Sequence, residues 1–346
     1  MNKLEGYFAG VNLGGWISQY SKYDHNHFKT FITKKDIEQI ASWGMDHVRL
    51  PIDYAILEDD DKPFIYKEEG FQYIDNCIKW CKEYGLNIIL DLHKAPGYSF
   101  GTLNENTFFD DKRLQERFIS LWRAFAVRYI GQKDTIIFEL LNEIVEPTSD
   151  RWNKVAHETV AAIRELDKDR RIIVGGNLYN SVFMLKEIEL FDDENVIYTF
   201  HFYEPHLFTH QKASWMPTFV EFNKTVNYPD SGEVYSEFHK RYPDFPQTDL
   251  ALLDLEEVGE AYIRQSLKPA IEFVKSTGKA VYCGEYGVIA QAPAASKIRW
   301  HQYVIAAFKE LNIARSVWSY KEMGFPMVDI SGKVIDEELI KVVSSK

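Results

Sequence analysis

Two glutamates each close an apolar, strand-like run. Glu143 ends Ile136-Ile-Phe-Glu-Leu-Leu-Asn-Glu143, and Glu285 ends Lys279-Ala-Val-Tyr-Cys-Gly-Glu285. Runs rich in β-branched and aromatic residues that stop at a polar residue read as buried strands reaching a surface. If both are strands of one parallel barrel, the two carboxylates stand at the same rim. Carboxylic acids facing each other across a cleft can break a glycosidic bond. One protonates the leaving oxygen, and the other attacks the anomeric carbon or activates water. Neighbouring carboxylates also repel, which helps one stay protonated near neutrality. Either glutamate alone reads equally well as a helix-start carboxylate or an ion-pair partner; the pair is what points to chemistry.

The elements that must position them alternate along the whole chain. Strands are predicted over residues 7–13, 47–51, 87–93, 135–143, 171–175, 196–203, 279–285 and 314–320. Helical periodicity follows over 34–43, 71–84, 112–129, 151–166, 184–190, 259–276, 296–311 and 337–343. Eight βα units imply an α/β protein with a closed parallel sheet, the (β/α)8 TIM barrel. The chain of 346 residues fits one such catalytic domain over 1–346. Residues 204–256 interrupt the alternation after strand six. This stretch is rich in aromatic residues, Pro and His, and is read as a small insertion subdomain over the barrel mouth.

In such a barrel the active site is built from the C-terminal ends of the strands. The polar residues there are Asn12, Arg49, Asp91 with His93, Asn142 with Glu143, Asn177, His201 with Tyr203, and Glu285, with Trp318 on strand eight. Burying one unpaired polar group costs about 1–3 kcal/mol, so a plain core has no use for so many. Asn12 and Asn177 lie beside Gly-Gly pairs and read as structural about as well as functional. Glu139, Glu146 and Glu322 are further acids near this rim and receive no role.

Composition narrows the class. Lys plus Arg is 40 and Asp plus Glu is 52, a formal charge of −12. An acidic chain without a basic patch is a poor partner for nucleic acid. No apolar run approaches ~20 residues, so no membrane span is expected. No signal peptide is visible, which points to the cytoplasm, or outside the cell if a leader was removed. Cys77, Cys81 and Cys283 lack metal-like spacing and read as three reduced, packed thiols. No cofactor and no metal is expected. Aromatic residues make up 15% of the chain, and Trp215, Tyr98, Tyr203 and Trp318 sit in polar contexts that suit sugar-stacking platforms.

Gly10-Val-Asn-Leu-Gly-Gly-Trp16, His47-Val-Arg-Leu-Pro51, Leu140-Leu-Asn-Glu143, His201-Phe-Tyr203, Cys283-Gly-Glu-Tyr-Gly287 and Val317-Trp318 together resemble glycoside hydrolase family 5, the cellulase family. They occur in that family's order from strand one to strand eight. The insertion, with Phe208-Thr-His-Gln-Lys-Ala-Ser-Trp215, is similar to the subdomain that small clostridial-type endoglucanases carry at this place. The resemblance implies that Glu143 is the acid/base and Glu285 the nucleophile. It implies that Asn142 holds the 2-hydroxyl, Arg49 and Tyr203 contact Glu285, and His201 steadies Glu143. His93 and Trp318 would line the −1 subsite, and Trp215 would be a platform. The family often has two histidines after strand three, where this chain has His93-Lys94.

These readings give a retaining endo-β-glycosidase on β-1,4-linked or mixed-linkage glucan, monomeric, working through a covalent glycosyl-enzyme. β-Mannan cleavage and exo-acting β-1,3-glucanase activity are alternatives on the same scaffold. A catalytically dead sugar-binding barrel and a metal-dependent hydrolase are rival classes. The retained Glu143, Glu285, Arg49, Asn142 and Tyr203 argue against the first. The absence of a clustered ligand partner for His93 and His201 argues against the second.

Overall fold

The computed structural model describes residues 4–245 and 257–346. Its strands are β1 (Ala9–Asn12), β2 (His47–Asp53), β3 (Asn87–Lys94), β4 (Ile136–Glu139), β5 (Ile172–Gly175), β6 (Val196–Phe202), β7 (Val281–Tyr286) and β8 (Ala314–Val317). Each pairs in parallel with its neighbours, and β8 pairs with β1, so the sheet closes into a barrel. This is the α/β barrel that the βα alternation predicts.

The helices form where apolar residues recur every three or four positions. Helix Glu68–Glu83 buries Phe71, Ile74, Cys77, Ile78 and Cys81 on one face. Helix Lys112–Arg128 starts at Asp111, whose carboxylate accepts the Arg113 N–H. Cys77, Cys81 and Cys283 are buried and unpaired with one another. No helix among the described residues is long and apolar enough to cross a membrane.

Inside the barrel, Ile89, Ile137, Ile173, Ile197, Tyr282 and Ala314 form a dry floor that Leu4 and Tyr7 close from below. Side chains two positions on share the same face of a strand. Asp91, Glu139 and Thr199 therefore lie one layer above the isoleucines, and His93 and His201 two layers above. β7 breaks this parity. Tyr282 is in the floor, so strict alternation would aim Gly284 inward and Glu285 outward. The register slips there: Phe200 faces Cys283, but His201 faces Glu285. The extra residue, Gly284, makes a β-bulge that turns Glu285 into the barrel.

Several boundaries differ from the predicted ones, and β8 ends at Val317, so Trp318 stands just past it. β4 ends at Glu139 rather than at residue 143. The chain stays tied to the wall through Leu140 N–H to Ile173 O and Asn142 N–H to Leu92 O, both 3.1 Å. It leaves strand geometry because Asn142 and Glu143, adjacent in sequence, must both serve the mouth; Glu143 takes a φ of 45°. The helix expected over 259–276 is two, Glu260–Ser266 and Lys268–Thr277. Pro269 has no N–H to give the Gln265 carbonyl, so the first helix cannot run on. The stretch expected as a helix over 184–190 is a 3-10 turn over Val182–Glu187.

Between β6 and β7 lie short helices His206–Thr209, Pro217–Phe222 and Glu233–Arg241, and an antiparallel ribbon of Asp230–Ser231 with Glu257–Val258. Phe238 packs on Phe219 at 5.4 Å and on Phe222 at 5.1 Å, and Phe245 joins Phe219 and Phe238 at 5.2 Å. The last part of the stretch read as an insertion, residues 246–256, lies outside the described residues.

Candidate active site

The site is organised around Arg49, which β2 carries into the barrel with no exposed surface. A guanidinium has five N–H donors and no acceptor, so a buried one needs acceptors on every side. Nε donates to Glu139 Oε2 at 2.7 Å, and Nη2 donates to Glu139 Oε1 at 3.0 Å. Nη2 also donates to Asn142 Oδ1 at 2.8 Å. Nη1 donates to Asn12 Oδ1 and to Glu285 Oε1, each at 2.9 Å. Asp91 Oδ2 lies 3.0 Å from Nη2. Arg49 thus fixes one oxygen of Glu285 and the amide of Asn142 together.

The second oxygen of Glu285 accepts from the Tyr203 hydroxyl at 2.9 Å. Glu143 is held by His201, whose Nδ1 is 2.8 Å from Oε1. The same Nδ1 is 3.7 Å from Glu285 Oε2. One oxygen of each glutamate and the His201 nitrogen all lie within 4.8 Å of one another. Among the described residues this trio could also meet one cation, but Arg49 and Tyr203 already occupy both oxygens of Glu285. The nearby guanidinium also repels a metal ion.

The electrostatics separate the groups. Burial pushes the Glu143 carboxyl up to about 8; Arg49 opposes this and Asp91 adds to it. Burial likewise raises Asp91 to about 7 and raises Glu139, each against the pull of Arg49. Burial lowers His201 to about 4 and His93 to about 3, so both rings are neutral at ordinary pH. The Tyr203 hydroxyl is raised by burial and by Glu285 and keeps its proton.

His93 is oriented by Asp91, whose Oδ2 lies 2.6 Å from Nδ1. Its ring stacks on Trp318 at 5.8 Å with 4° between the planes. Trp318 needs its neighbours to be small: a Cβ on Gly14 would meet its ring at 2.8 Å, and one on Gly287 would meet its carbonyl oxygen at 2.6 Å. That is a physical reason for glycine at both positions. Asn142 Nδ2 is buried with no hydrogen-bond partner among the described residues.

The structure brings Arg49, His93, Asn142, Glu143, His201, Tyr203, Glu285 and Trp318 into this linked set. Trp215 stands apart at the rim, 54% exposed. Its ring is 6.3 Å from Phe325, which is 5.8 Å from Tyr203. Tyr98 is not a platform. It is 2% exposed, and its hydroxyl donates to Glu143 O and accepts from Val145 N–H, both at 2.8 Å. It ties down the left-handed turn that aims Glu143. Asn12 is both structural and supporting: its Nδ2 donates to Gly284 O at 3.0 Å, at the bulge, while its Oδ1 receives Arg49. Asn177 only braces its loop, pairing both ways with the Glu146 backbone. Glu139 and Asp91, given no role from the sequence, complete the charge around Arg49. The signal for them was a buried arginine that needed more acceptors than the rim supplied.

The family model for cellulase (glycosyl hydrolase family 5) matches residues 9–324. The chain belongs to glycosyl hydrolase family 5. It is a glycoside hydrolase. The chain is 47% identical to Endoglucanase C of Acetivibrio thermocellus, over 98% of each chain. It is 34% identical to Cellodextrinase A of Ruminococcus flavefaciens, over 100% of this chain and 96% of that one. The fold matches the crystal structure of an endoglucanase from Thermotoga maritima with a TM-score of 0.80, at 22% identity, over 99% of this chain and 100% of that one. The family 5 match runs from β1 past β8, so it takes in every residue of the linked set.

Proposed function

We propose that this chain cleaves β-1,4-linked glucan as a retaining endo-β-glycosidase, with Glu143 as acid/base and Glu285 as nucleophile. The observation that carries the mechanism is the closeness of Glu143 and Glu285, one oxygen of each lying within 4.8 Å of the other. Retaining enzymes hold their carboxyl groups about 5–5.5 Å apart, whereas inverting ones leave about 6.5–9.5 Å for a water. The electrostatics support the division of roles. Glu143, raised to about 8, holds a proton at neutral pH and gives it to the leaving oxygen. Glu285, gripped by Arg49 and Tyr203, attacks the anomeric carbon. Glu143, now a carboxylate, then takes a proton from the water that frees the sugar.

Asn142 Nδ2 is free to donate to the 2-hydroxyl, a hydrogen bond that strengthens as the oxocarbenium-like transition state forms. His93 and Trp318 form the wall of the −1 subsite, and Trp215 is a platform farther along the cleft. We read the described part of the stretch 204–256 as a subdomain over the mouth, which the contacts from Trp215 through Phe325 to Tyr203 support. All the machinery lies within one chain, which supports action as a monomer.

The glucan assignment follows the relatives named Endoglucanase C and Cellodextrinase A. A product profile on cello-oligosaccharides, manno-oligosaccharides and mixed-linkage glucan tests it. Internal cleavage of cello-oligosaccharides and mixed-linkage glucan is expected. Preferred cleavage of the mannan series would overturn it.

A further inference from the structure

Asn180 touches His201 at the ring nitrogen that does not face Glu143. His201 is a neutral ring and carries one ring hydrogen, so which nitrogen holds it decides what the ring does to Glu143. Arg49, Glu139, Glu143 and Glu285 are the charged or titratable groups that act on this ring. Its Nε2 faces Asn180 Nδ2 at 3.3 Å. An amide NH2 only donates, so Nε2 accepts and the hydrogen sits on Nδ1, pointing at Glu143 Oε1.

Asn180 is built into this place. It has no exposed surface, and its φ of 54° is a left-handed conformation that Asn tolerates better than most residues. A Cβ on Gly175 would come within 2.4 Å of its amide oxygen. That oxygen has no hydrogen-bond partner among the described residues. Turning the amide over would pair the oxygen with an Nε2–H and strip the hydrogen from Nδ1. The bare Nδ1 would then accept the Glu143 proton, locking it in an internal hydrogen bond.

We propose that Asn180 is a positioning residue that fixes the tautomer of His201, so that Nδ1–H donates to Glu143 and the acid's proton stays available for the leaving oxygen. The inference rests on the acid/base reading of Glu143. In Asn180→Asp, the new carboxylate accepts only, so Nε2 must carry a hydrogen. The ring then either leaves Nδ1 bare, which ties up the Glu143 proton in a hydrogen bond, or becomes an imidazolium, which draws that proton off, and both keep it from the leaving oxygen.

Two measurements test this. In the wild-type protein labelled with 15N-histidine, the His201 resonances near neutral pH should show Nδ1 protonated and Nε2 bare. The reverse tautomer overturns the proposal whether or not any variant folds. In kinetics, Asn180→Asp should lower kcat/KM on cellotetraose about 10²-fold, as expected for lost general-acid catalysis. It should shift the basic limb of the pH profile, upward with Nδ1 bare or downward with an imidazolium. On 2,4-dinitrophenyl β-cellobioside, whose leaving group needs no proton, the loss should stay within about threefold. Equal losses on both substrates with an unmoved limb overturn the proposal. Glu143→Ala is run in parallel. If it shows the leaving-group contrast and Asn180→Asp does not, only the Asn180 inference fails. If Glu143→Ala itself loses both activities alike, the acid/base reading fails and the inference falls with it.

Discussion

Arg49 and Glu139 form a buried two-point ion pair, with Nε to Oε2 at 2.7 Å and Nη2 to Oε1 at 3.0 Å. Neither side chain has exposed surface. The pair sits directly beneath Glu285 and Asn142, so it is the base on which the reacting groups stand. Removing Glu139 leaves the buried Nε–H of Arg49 without its acceptor and strips two charge-assisted hydrogen bonds from the guanidinium, which costs about 3–5 kcal/mol. Glu139→Ala should lower unfolding stability by about that amount in a denaturant melt and also depress kcat. A variant that melts like the wild type would contradict this role.

The raised Glu143 predicts a pH dependence of both rate and stability. As the proposed acid, Glu143 works while protonated, so the basic limb of kcat/KM should fall near the value of about 8. For stability the sign runs the other way from an ion-paired acid. Glu143 binds its proton more tightly folded than unfolded, so the folded state loses stability as pH rises from its ordinary value of 4.5 toward about 8. Glu143→Gln should therefore melt at a higher temperature than the wild type at the alkaline end of that window. The advantage should vanish at its acid end. An advantage that grows toward acid would contradict the assignment.

The free Nδ2 of Asn142 predicts a coupling that can be measured directly. Asn142→Ala should lower kcat/KM on a cello-oligosaccharide about 10²–10³-fold, the usual effect of losing one transition-state donor. On a 2-deoxyglycoside the wild type should lose a similar factor and the variant little more. Full additivity of the two losses would rule out the contact with the 2-hydroxyl.

Much of this site is legible in the sequence because barrel strands announce themselves as apolar runs, and their polar terminal residues fall at one rim. Arg49, His93, Asn142, Glu143, His201, Tyr203, Glu285 and Trp318 are all found that way. What sequence alone hides lies at the level of backbone and layer. Glu285 reaches the interior only through the Gly284 bulge, and no alternation rule predicts where a ladder slips. Glu139 and Asp91 sit one layer below the rim, where mid-strand acids look like misfits until Arg49 is seen between them. Tyr98 looks like a loop aromatic because its contact, the Glu143 carbonyl, exists only once the left-handed turn is formed.

We propose that Trp215 serves binding and not chemistry. It is exposed and makes ring contacts to Phe325 and His210 but none to the carboxylates. Stacking of this kind contributes about 0.5–1.5 kcal/mol, so Trp215→Ala should raise KM on long cello-oligosaccharides about 2–10-fold. Its kcat should stay near that of the wild type. A large fall in kcat with unchanged KM would place the residue in the reacting centre instead.

We propose that Glu285 attacks directly while Glu143 protonates, across the short gap between them. Proton NMR of the first product released from a β-glucan oligosaccharide tests it before mutarotation sets in. The β-anomer is expected, the result of two successive inversions. An α-anomer as first product would contradict it.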